Sequence, residues 1–388
     1  MRTIPDLDQH LQPLEEVIYN EFLPSLFGRT INSTIRRLVA LPPKLGGMGI
    51  VNPVSVASKE FKNSIQLTKP LSEKIINQDR YDIIDQTILK ETKKFISKER
   101  ENEQKKELQE ILSMTSLKTE EKKRLEMSLE KGASNWLSAL PLREAGFSLN
   151  KQEFRDAIAL RYCIPILGMP ETCVCGKAFT CNHAMICKKG GFITLRHNEL
   201  RDITQEMLTE VCKNVESEPL LQPLSGEKLK YQTSITENNA RLDLSALGFW
   251  TKGQRAYFDI RVFDPVAQSH IDQSLEAAHV KQENEKKHQY EDQVINVEQV
   301  SFTPLVFTIT GGMSRNTRKF FSRLGEMMAD SRNQPRSIIQ SWMRCRISFS
   351  LLRSAILCIR GTRIRRVKPV EIKNSDLGAI ALVSRILG

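Results

Sequence analysis

The chain has 388 residues, 40% hydrophobic and 27% charged, with a formal net charge of +11. That length allows two or three domains around a sizeable core, and the composition is that of a soluble globular protein. No apolar run near Met1 to His10 resembles a signal peptide. None elsewhere reaches the roughly 18 residues of a membrane-spanning helix, so the expectation is a soluble intracellular protein with no membrane partner. The excess of Lys and Arg favours a polyanion, most often nucleic acid, because neutralised phosphates release counterions. A well-solvated basic surface is the competing reading.

In chain order, residues 13–40 read as helical. Ile18, Phe22, Leu23 and Leu26, then Ile31, Ile35, Leu38 and Val39, recur at helix-like spacing. Pro24 and Gly28 divide that stretch, and Pro42 and Pro43 end it before a glycine-rich turn. A short helix is expected over 54–70, completing a helical region over 1–80. Residues 81–131 are Lys- and Glu-rich, free of Gly and Pro, and read as a charged helical linker up to Lys131, broken near Met114–Lys118.

A new domain is expected from Gly132, whose apolar Trp136, Leu137, Leu140 and Leu142 lead to a helix over 151–162 and a cysteine-rich segment ending near 190. From 191 to 331 the expected order is αβββαβ. It comprises a helix over His197–Lys213, strands over Leu229–Ile235, Arg241–Trp250 and Arg255–Phe263, a helix over Gln273–Val297 and a strand over Thr303–Thr310. A further helix over Arg315–Asp330 follows. Thr251-Lys252-Gly253-Gln254 is a hairpin turn between the second and third strands. Residues 332–388 form an Arg-rich, amphipathic extension. A core helix with an Arg fringe is favoured there over a membrane-surface helix.

Four of the eight cysteines crowd one segment: Cys173, Cys175, Cys181 and Cys187, with His183 among them. Cys173, Cys175, His183 and Cys187 supply four ligands of the kind that hold a tetrahedral structural zinc. Gly176 permits the tight turn after the first pair. His183 and Cys187 are one helical turn apart. Cys181 is a spare that can replace one of the four, and a chance cluster of free thiols is the competing reading.

Asp243 and Asp259 lie in strands joined by the hairpin and sit among apolar neighbours, where an unpaired carboxylate costs roughly several kcal/mol. Two carboxylates facing one side suit a Mg²⁺ that activates water for phosphodiester cleavage. The alternative is a pair of salt bridges, Asp243 with Arg241 and Asp259 with Arg261. Glu199 is a candidate third carboxylate. Arg196 and His197 precede it, placed to hold a phosphate at a helix N-terminus.

With αβββαβ order, Asp243 and Asp259-Ile-Arg261 resemble the PD-(D/E)XK nuclease superfamily. The Cys/His cluster is followed by Gly190-Gly191-Phe192, Arg196-His197-Asn198 and Arg241-Leu-Asp243. That succession resembles the restriction-like endonuclease region at the C-terminus of some non-LTR retrotransposon polyproteins. Leu41 to Pro53, LPPKLGGMGIVNP, looks like the segment after the thumb of a reverse transcriptase in such elements. The two matches cover most of the chain outside the charged stretch.

The resemblance implies a structural zinc on Cys173, Cys175, His183 and Cys187, and metal-binding carboxylates at Asp243 and Asp259, with Glu199 a weaker match. It implies cleavage of target DNA to prime reverse transcription, which would place the protein in the nucleus. The superfamily's proline before the first acid is Leu242 here, and its lysine two after the second acid is Arg261. Arginine stabilises phosphorane charge but cannot act as a base. Lys286 or Lys287 can fill the lysine's place from the following helix, against a solvated-face reading of both. No Tyr-x-Asp-Asp-like motif occurs, so copying RNA is not expected, and the chain looks like part of a longer element. The resulting expectation is an α+β endonuclease module holding Zn and Mg and binding DNA, with a catalytically inactive, zinc-containing nucleic-acid-binding remnant as the alternative. Arg363, Arg365 and Arg366 are further candidate contacts, and DNA is not distinguished from RNA.

Overall fold

The computed structural model describes residues 3–80, 83–114 and 116–363. Arg365 and Arg366 lie outside the described residues.

The first helices are short: α1 (Gln12–Val17), a π-helical turn over Ile18–Phe22, α2 (Leu23–Phe27) and α3 (Ser33–Ala40). Gly28 ends α2 in the left-handed region and Asn32 caps α3 by accepting from Ile35 N–H. Arg36 and Glu15 form a buried bidentate ion pair, with both nitrogen–oxygen distances 2.7 Å. The glycine-rich loop folds back on α3. A Cβ on Gly47 would stand 1.8 Å from the Leu41 carbonyl oxygen, so only glycine fits there.

Asn52 caps α4 (Pro53–Ile76), which runs longer than expected through Pro70. α5 (Ile83–Ser113) lies against α4 and is exposed along most of its length, with Ile96, Leu108 and Ile111 buried. α6 (Thr119–Leu129) differs from the linker expected there, because Lys123, Arg124, Leu125 and Met127 are all buried. Each of its buried charges has a distant partner. Lys123 Nζ donates to the Gln273 carbonyl at 2.6 Å, and Arg124 reaches Asn182 Oδ1 at 2.8 Å and Asp264 Oδ2 at 3.3 Å. Glu130, just past the helix, accepts from His279 at 2.7 Å and from the Thr308 hydroxyl at 3.1 Å. This end of the charged stretch is thus a wedge inside the protein.

α7 (Asn135–Ser138) and the capping-box helix α8 (Lys151–Arg161) lead to α9 (Cys181–Ile186) and α10 (Phe192–Thr209). The sheet follows: β1 (Lys213–Ser217), β2 (Leu244–Leu247), β3 (Arg255–Phe263) and β4 (Ser301–Thr308), with α11 (Leu275–Asn296) between the last two. Spatial order is β1-β2-β3-β4, antiparallel except for the parallel β3–β4 pair that the α11 crossover requires. The fold is therefore α+β with one four-stranded mixed sheet. α12 (Arg315–Arg332) and α13 (Arg336–Arg360) close the described chain.

The first strand is not where sequence placed it. Leu229–Ile235 is loop, with Tyr231 stacked on His288 at 4.0 Å between ring centroids. The strand lies at Lys213–Ser217, cutting short the expected helix over His197–Lys213.

One apolar cluster joins Leu23, Leu38 and Val39 of the first helices to Met127 of α6, Ile158 of α8, Met185 of α9 and Cys358 of α13. The N-terminal helices and the cysteine segment thus share a core. A second cluster packs Phe258, Ile260 and Phe307 of the sheet on Leu200, Phe320 and Leu351 of α10, α12 and α13. α13 is a core helix with an Arg fringe, as favoured from sequence, burying Ile339, Met343, Ile347 and Leu351.

Candidate functional site

The cysteine segment folds as a small hairpin followed by one helical turn and a half. Thr172 pairs with Ala178, and Gly176, at φ +88°, closes the turn by donating to the Cys173 carbonyl at 2.8 Å. Thr180 then caps α9 by accepting from His183 N–H at 3.1 Å. His183 and Cys187 stand on consecutive turns, linked by the Cys187 N–H to His183 carbonyl bond of 2.9 Å.

The four donor atoms of Cys173, Cys175, His183 and Cys187 all lie within 4.8 Å of one another. Cys173 Sγ and Cys187 Sγ are 3.7 Å apart, and Cys175 Sγ is 3.3 Å from His183 Nε2. Zinc–sulfur bonds of about 2.3 Å at tetrahedral angles put two sulfurs about 3.8 Å apart. Three cysteines and one histidine at these separations can hold zinc, with no position left for a substrate. Cys181 is not among the four: its Sγ points to Met169 Sδ, 4.0 Å away, and burial raises its pKa.

The second site is built on the β2–β3 hairpin. Leu244 pairs with Phe258, so the next step toward the start of β2 puts Asp243 opposite Asp259. Opposed residues of an antiparallel pair share a face. Asp243 Oδ2 accepts from Ile260 N–H at 2.5 Å and lies 3.1 Å from His197 Nε2, which is also 3.1 Å from the Ile260 carbonyl oxygen. Asp259 is 3% exposed. Lys286 Nζ of α11 is 2.8 Å from its Oδ2, close as an ion pair but off the line of a hydrogen bond, leaving that oxygen without an aligned donor. The Tyr290 ring, one turn on, has Lys286 Nζ 5.5 Å from its centre.

These groups feel one another. Burial pushes the Asp259 carboxyl up to about 6; Lys286 pulls it down, and the Asp243 charge pushes it further up. Burial also acts to raise Asp243, but the hydrogen bond and charge of His197 and the Ile260 N–H outweigh it and hold Asp243 below the usual range. His197 is the converse: burial acts to lower it, and Asp243 lifts it above its ordinary value. Burial, then the charges of Asp259 and Asp243, raise Tyr290.

A pH dependence follows. Native Asp259 keeps its proton to about 6, whereas an unfolded Asp loses it near about 3.9. Between those values the native state binds more protons, so this group's contribution to stability falls as pH rises. His197 adds a contribution complete below about 6.5 that fades as pH rises through its higher folded value. Asp243's contribution is lost only as pH falls below about 3.9, outside this window. Without divalent cations, the wild type is expected to lose stability relative to Asp259→Asn between about pH 4 and 6. Urea midpoints of the two across that range check this, and parallel curves would refute it.

Other expected residues fall elsewhere. The salt bridges proposed as an alternative are not formed: Arg241 faces Glu218 at 3.8 Å, and Arg261 donates to Gln282 Oε1 at 2.9 Å. Glu199 is not brought to the pair. Burial raises its pKa, and the charges around it are Asp202, Arg353, Glu206 and Arg346, toward α13. Arg196 is buried at 3% exposure, donating to the Met185 carbonyl at 3.3 Å, and cannot meet a phosphate. Arg363 is folded back, its guanidinium 4.7 Å from the Phe179 ring and 4.9 Å from the Phe192 ring, with a bond to the Cys358 carbonyl. It clamps the cysteine segment to α13. Lys287 is half-buried with no ion pair among the described residues, whereas Lys286 is the lysine beside Asp259. His197 as the partner of Asp243, and Tyr290, were not foreseen. No helix among the described residues is long and apolar enough to cross a membrane. No family model and no curated protein matches the chain.

Proposed function

We propose that the chain is a metal-dependent DNA endonuclease module of the restriction-like kind, derived from a retroelement polyprotein and acting in the nucleus. The observation that carries the reading is the buried group at the β2–β3 hairpin: Asp243 opposite Asp259, with Lys286 at 2.8 Å from Asp259. The α-β-β-β-α-β order around it is consistent with the PD-(D/E)XK resemblance.

The residues fit a hard divalent cation such as Mg²⁺, because Asp259 Oδ2 is buried without an aligned donor and Asp243 stands opposite Asp259 on the same face of the hairpin. Such a cation, when bound, supplies an activated water and neutralises charge on the leaving oxygen. Asp243 and Asp259 would hold it. His197 orients Asp243 through Nε2. Lys286 places a positive charge beside Asp259, where charge would develop on a scissile phosphate. The zinc centre is structural, ordering the segment that packs on α13.

Nicking of supercoiled plasmid by the purified chain with Mg²⁺, beside Asp259→Ala and an EDTA control, tests this. Cleavage lost in both controls is the expected result. Persistence of cleavage in Asp259→Ala would remove the assignment. A second reading has its own observation: His197 and Lys286 each already partner one carboxylate, closing the group without a cation. Absent cleavage with salt-sensitive DNA binding intact would favour that inert, nucleic-acid-binding remnant.

A further inference from the structure

Where α12 begins, it meets α13 and the end of the α6 wedge along a groove of about 690 Å³. Among the described residues, six cations line it, Lys131, Arg315, Arg318, Lys319, Arg336 and Arg344, and no Asp or Glu does. Among the described residues, Lys131, Arg315, Arg318 and Lys319 make no ion pair or side-chain hydrogen bond, and all four are exposed. Arg336 is the exception, paired with Glu326 at 2.7 Å. Among the described residues, Arg344 has only the Gln340 side-chain oxygen, at 3.3 Å, and partial burial lowers its pKa.

This arrangement works against the stability of the helix that bears it. Ser314 caps α12, so Arg315, Arg318 and Lys319 occupy its first turn and the start of the second, and no acidic residue lies in that first turn. The N-terminus of a helix is already positive, so cations there are disfavoured. Glu283 meets the helix's own N–H groups, accepting from the Asn316 backbone and amide at 3.1 and 3.0 Å, and does not line the groove, so the cations themselves are left without it. Unpaired cations gathered along one groove suit an anion that arrives from outside.

We propose that this groove binds the phosphodiester backbone of a nucleic acid. Arg336 and Arg344 are eight residues apart on α13, a spacing of about 12 Å along a helix. That separation exceeds what one phosphate group covers and matches several steps of a strand at about 3.4 Å rise each. A concave site with charged walls also suits a chain entering it, whereas a bilayer surface calls for an amphipathic helix with an apolar outer face. Lys131, Arg315, Arg318 and Lys319 were not among the contacts expected from sequence, whereas Arg336 and Arg344 belong to the Arg-rich extension. The groove stands independently of the nuclease reading and shares with it only the class of polymer.

The test compares the wild-type full chain with a triple variant, Arg315→Ala, Arg318→Ala and Lys319→Ala. Binding to equal-length duplex DNA, single-stranded DNA and single-stranded RNA is followed across a salt series. A control variant removes the same charge from the exposed face of α5, by Lys93→Ala, Lys94→Ala and Lys98→Ala. The groove variant should lower the slope of log affinity against log salt by about 2 to 3 and bind about tenfold or more weakly. Its melting temperature should be unchanged or higher, since the substitutions relieve the helix start. All binding is measured in EDTA, where no metal-dependent cleavage occurs, which separates this inference from the nuclease assignment. Loss confined to DNA or to RNA identifies which polymer occupies the groove. An unchanged slope in a folded groove variant, an equal loss in the α5 control, or no binding of any of the three polymers by the wild type would each overturn it.

Discussion

Lys286→Ala is expected to slow plasmid nicking by about a hundredfold to a thousandfold, while Lys287→Ala stays within about twofold of wild type. The two lysines are adjacent in sequence but separated by about 100° around α11. Lys286 is turned to the sheet with its side chain 16% exposed and its ammonium 2.8 Å from Asp259 Oδ2. Lys287 makes no such contact. In a site where Asp259 is buried, a charge at that distance acts through a medium of low polarity and is worth much more than at the surface. Losing it also removes what holds the Asp259 carboxyl down against burial and the Asp243 charge. Lys286→Ala should therefore need more Mg²⁺ for half-maximal rate as well as turn over more slowly. Lys286→Arg separates two roles. Arginine keeps the charge but does not release a proton, so rescue means electrostatic stabilisation and failure means proton transfer through the amine. Arg261→Gln should change little, because Arg261 is exposed and engaged with Gln282. A normal rate in Lys286→Ala, with the loss falling on Lys287→Ala or Arg261→Gln, would move the catalytic lysine assignment away from Lys286.

What could be read from sequence follows the strength of side-chain patterning. β3 was expected over Arg255–Phe263 and is found there, because its stretch buried on both faces, Ala256–Ile260, reads as an apolar run broken only by Asp259. β1 left no such mark. Lys213–Ser217 is a mostly exposed edge strand, held by backbone pairing to β2 that side chains do not advertise. Leu229–Ile235 alternates like a strand, but Tyr231 spends its ring on His288 and the Ile235 N–H on the Gln289 carbonyl, so the segment covers α11 instead of entering the sheet. Arg196 and His197 looked like a phosphate pair at a helix start. About 100° of helical turn per residue sends one into the core under Met185 and the other to Asp243. α6 read as solvated because Lys123, Arg124 and Glu130 are charged, and their partners, Gln273, Asp264 and His279, are 140 or more residues away. The cysteine cluster was legible because its donors are local in sequence, and the turn at Gly176 and the α9 turn bring them together with no help from distant segments.

That locality is why zinc removal should have the larger effect on folding. His183→Ala, or exhaustive chelation of the wild type, is expected to release one zinc per chain and to destabilise the protein by several kcal/mol at least. Structural zinc in small finger peptides is worth about 10–16 kcal/mol of apparent binding free energy, all of it coupled to folding. The segment offers little to replace it: a short hairpin and a six-residue helix. Yet Phe179, Ala184 and Met185 from this segment are buried in the core that also holds Ile158 of α8 and Cys358 and Ile359 of α13. Arg363 clasps Phe179 and Phe192 across the same junction. Freeing the four ligands should therefore loosen α8 and the end of α13 as well as the hairpin, seen as lost amide protection in those helices. Cys181→Ser is the matched control. Its thiol faces Met169, so it should keep one zinc per chain and shift stability by no more than about 1–2 kcal/mol. Elemental analysis with thermal unfolding of the two variants decides the matter. One zinc per chain and a wild-type melting temperature in His183→Ala would exclude this ligand set, and a zinc-free Cys181→Ser would put Cys181 back among the ligands.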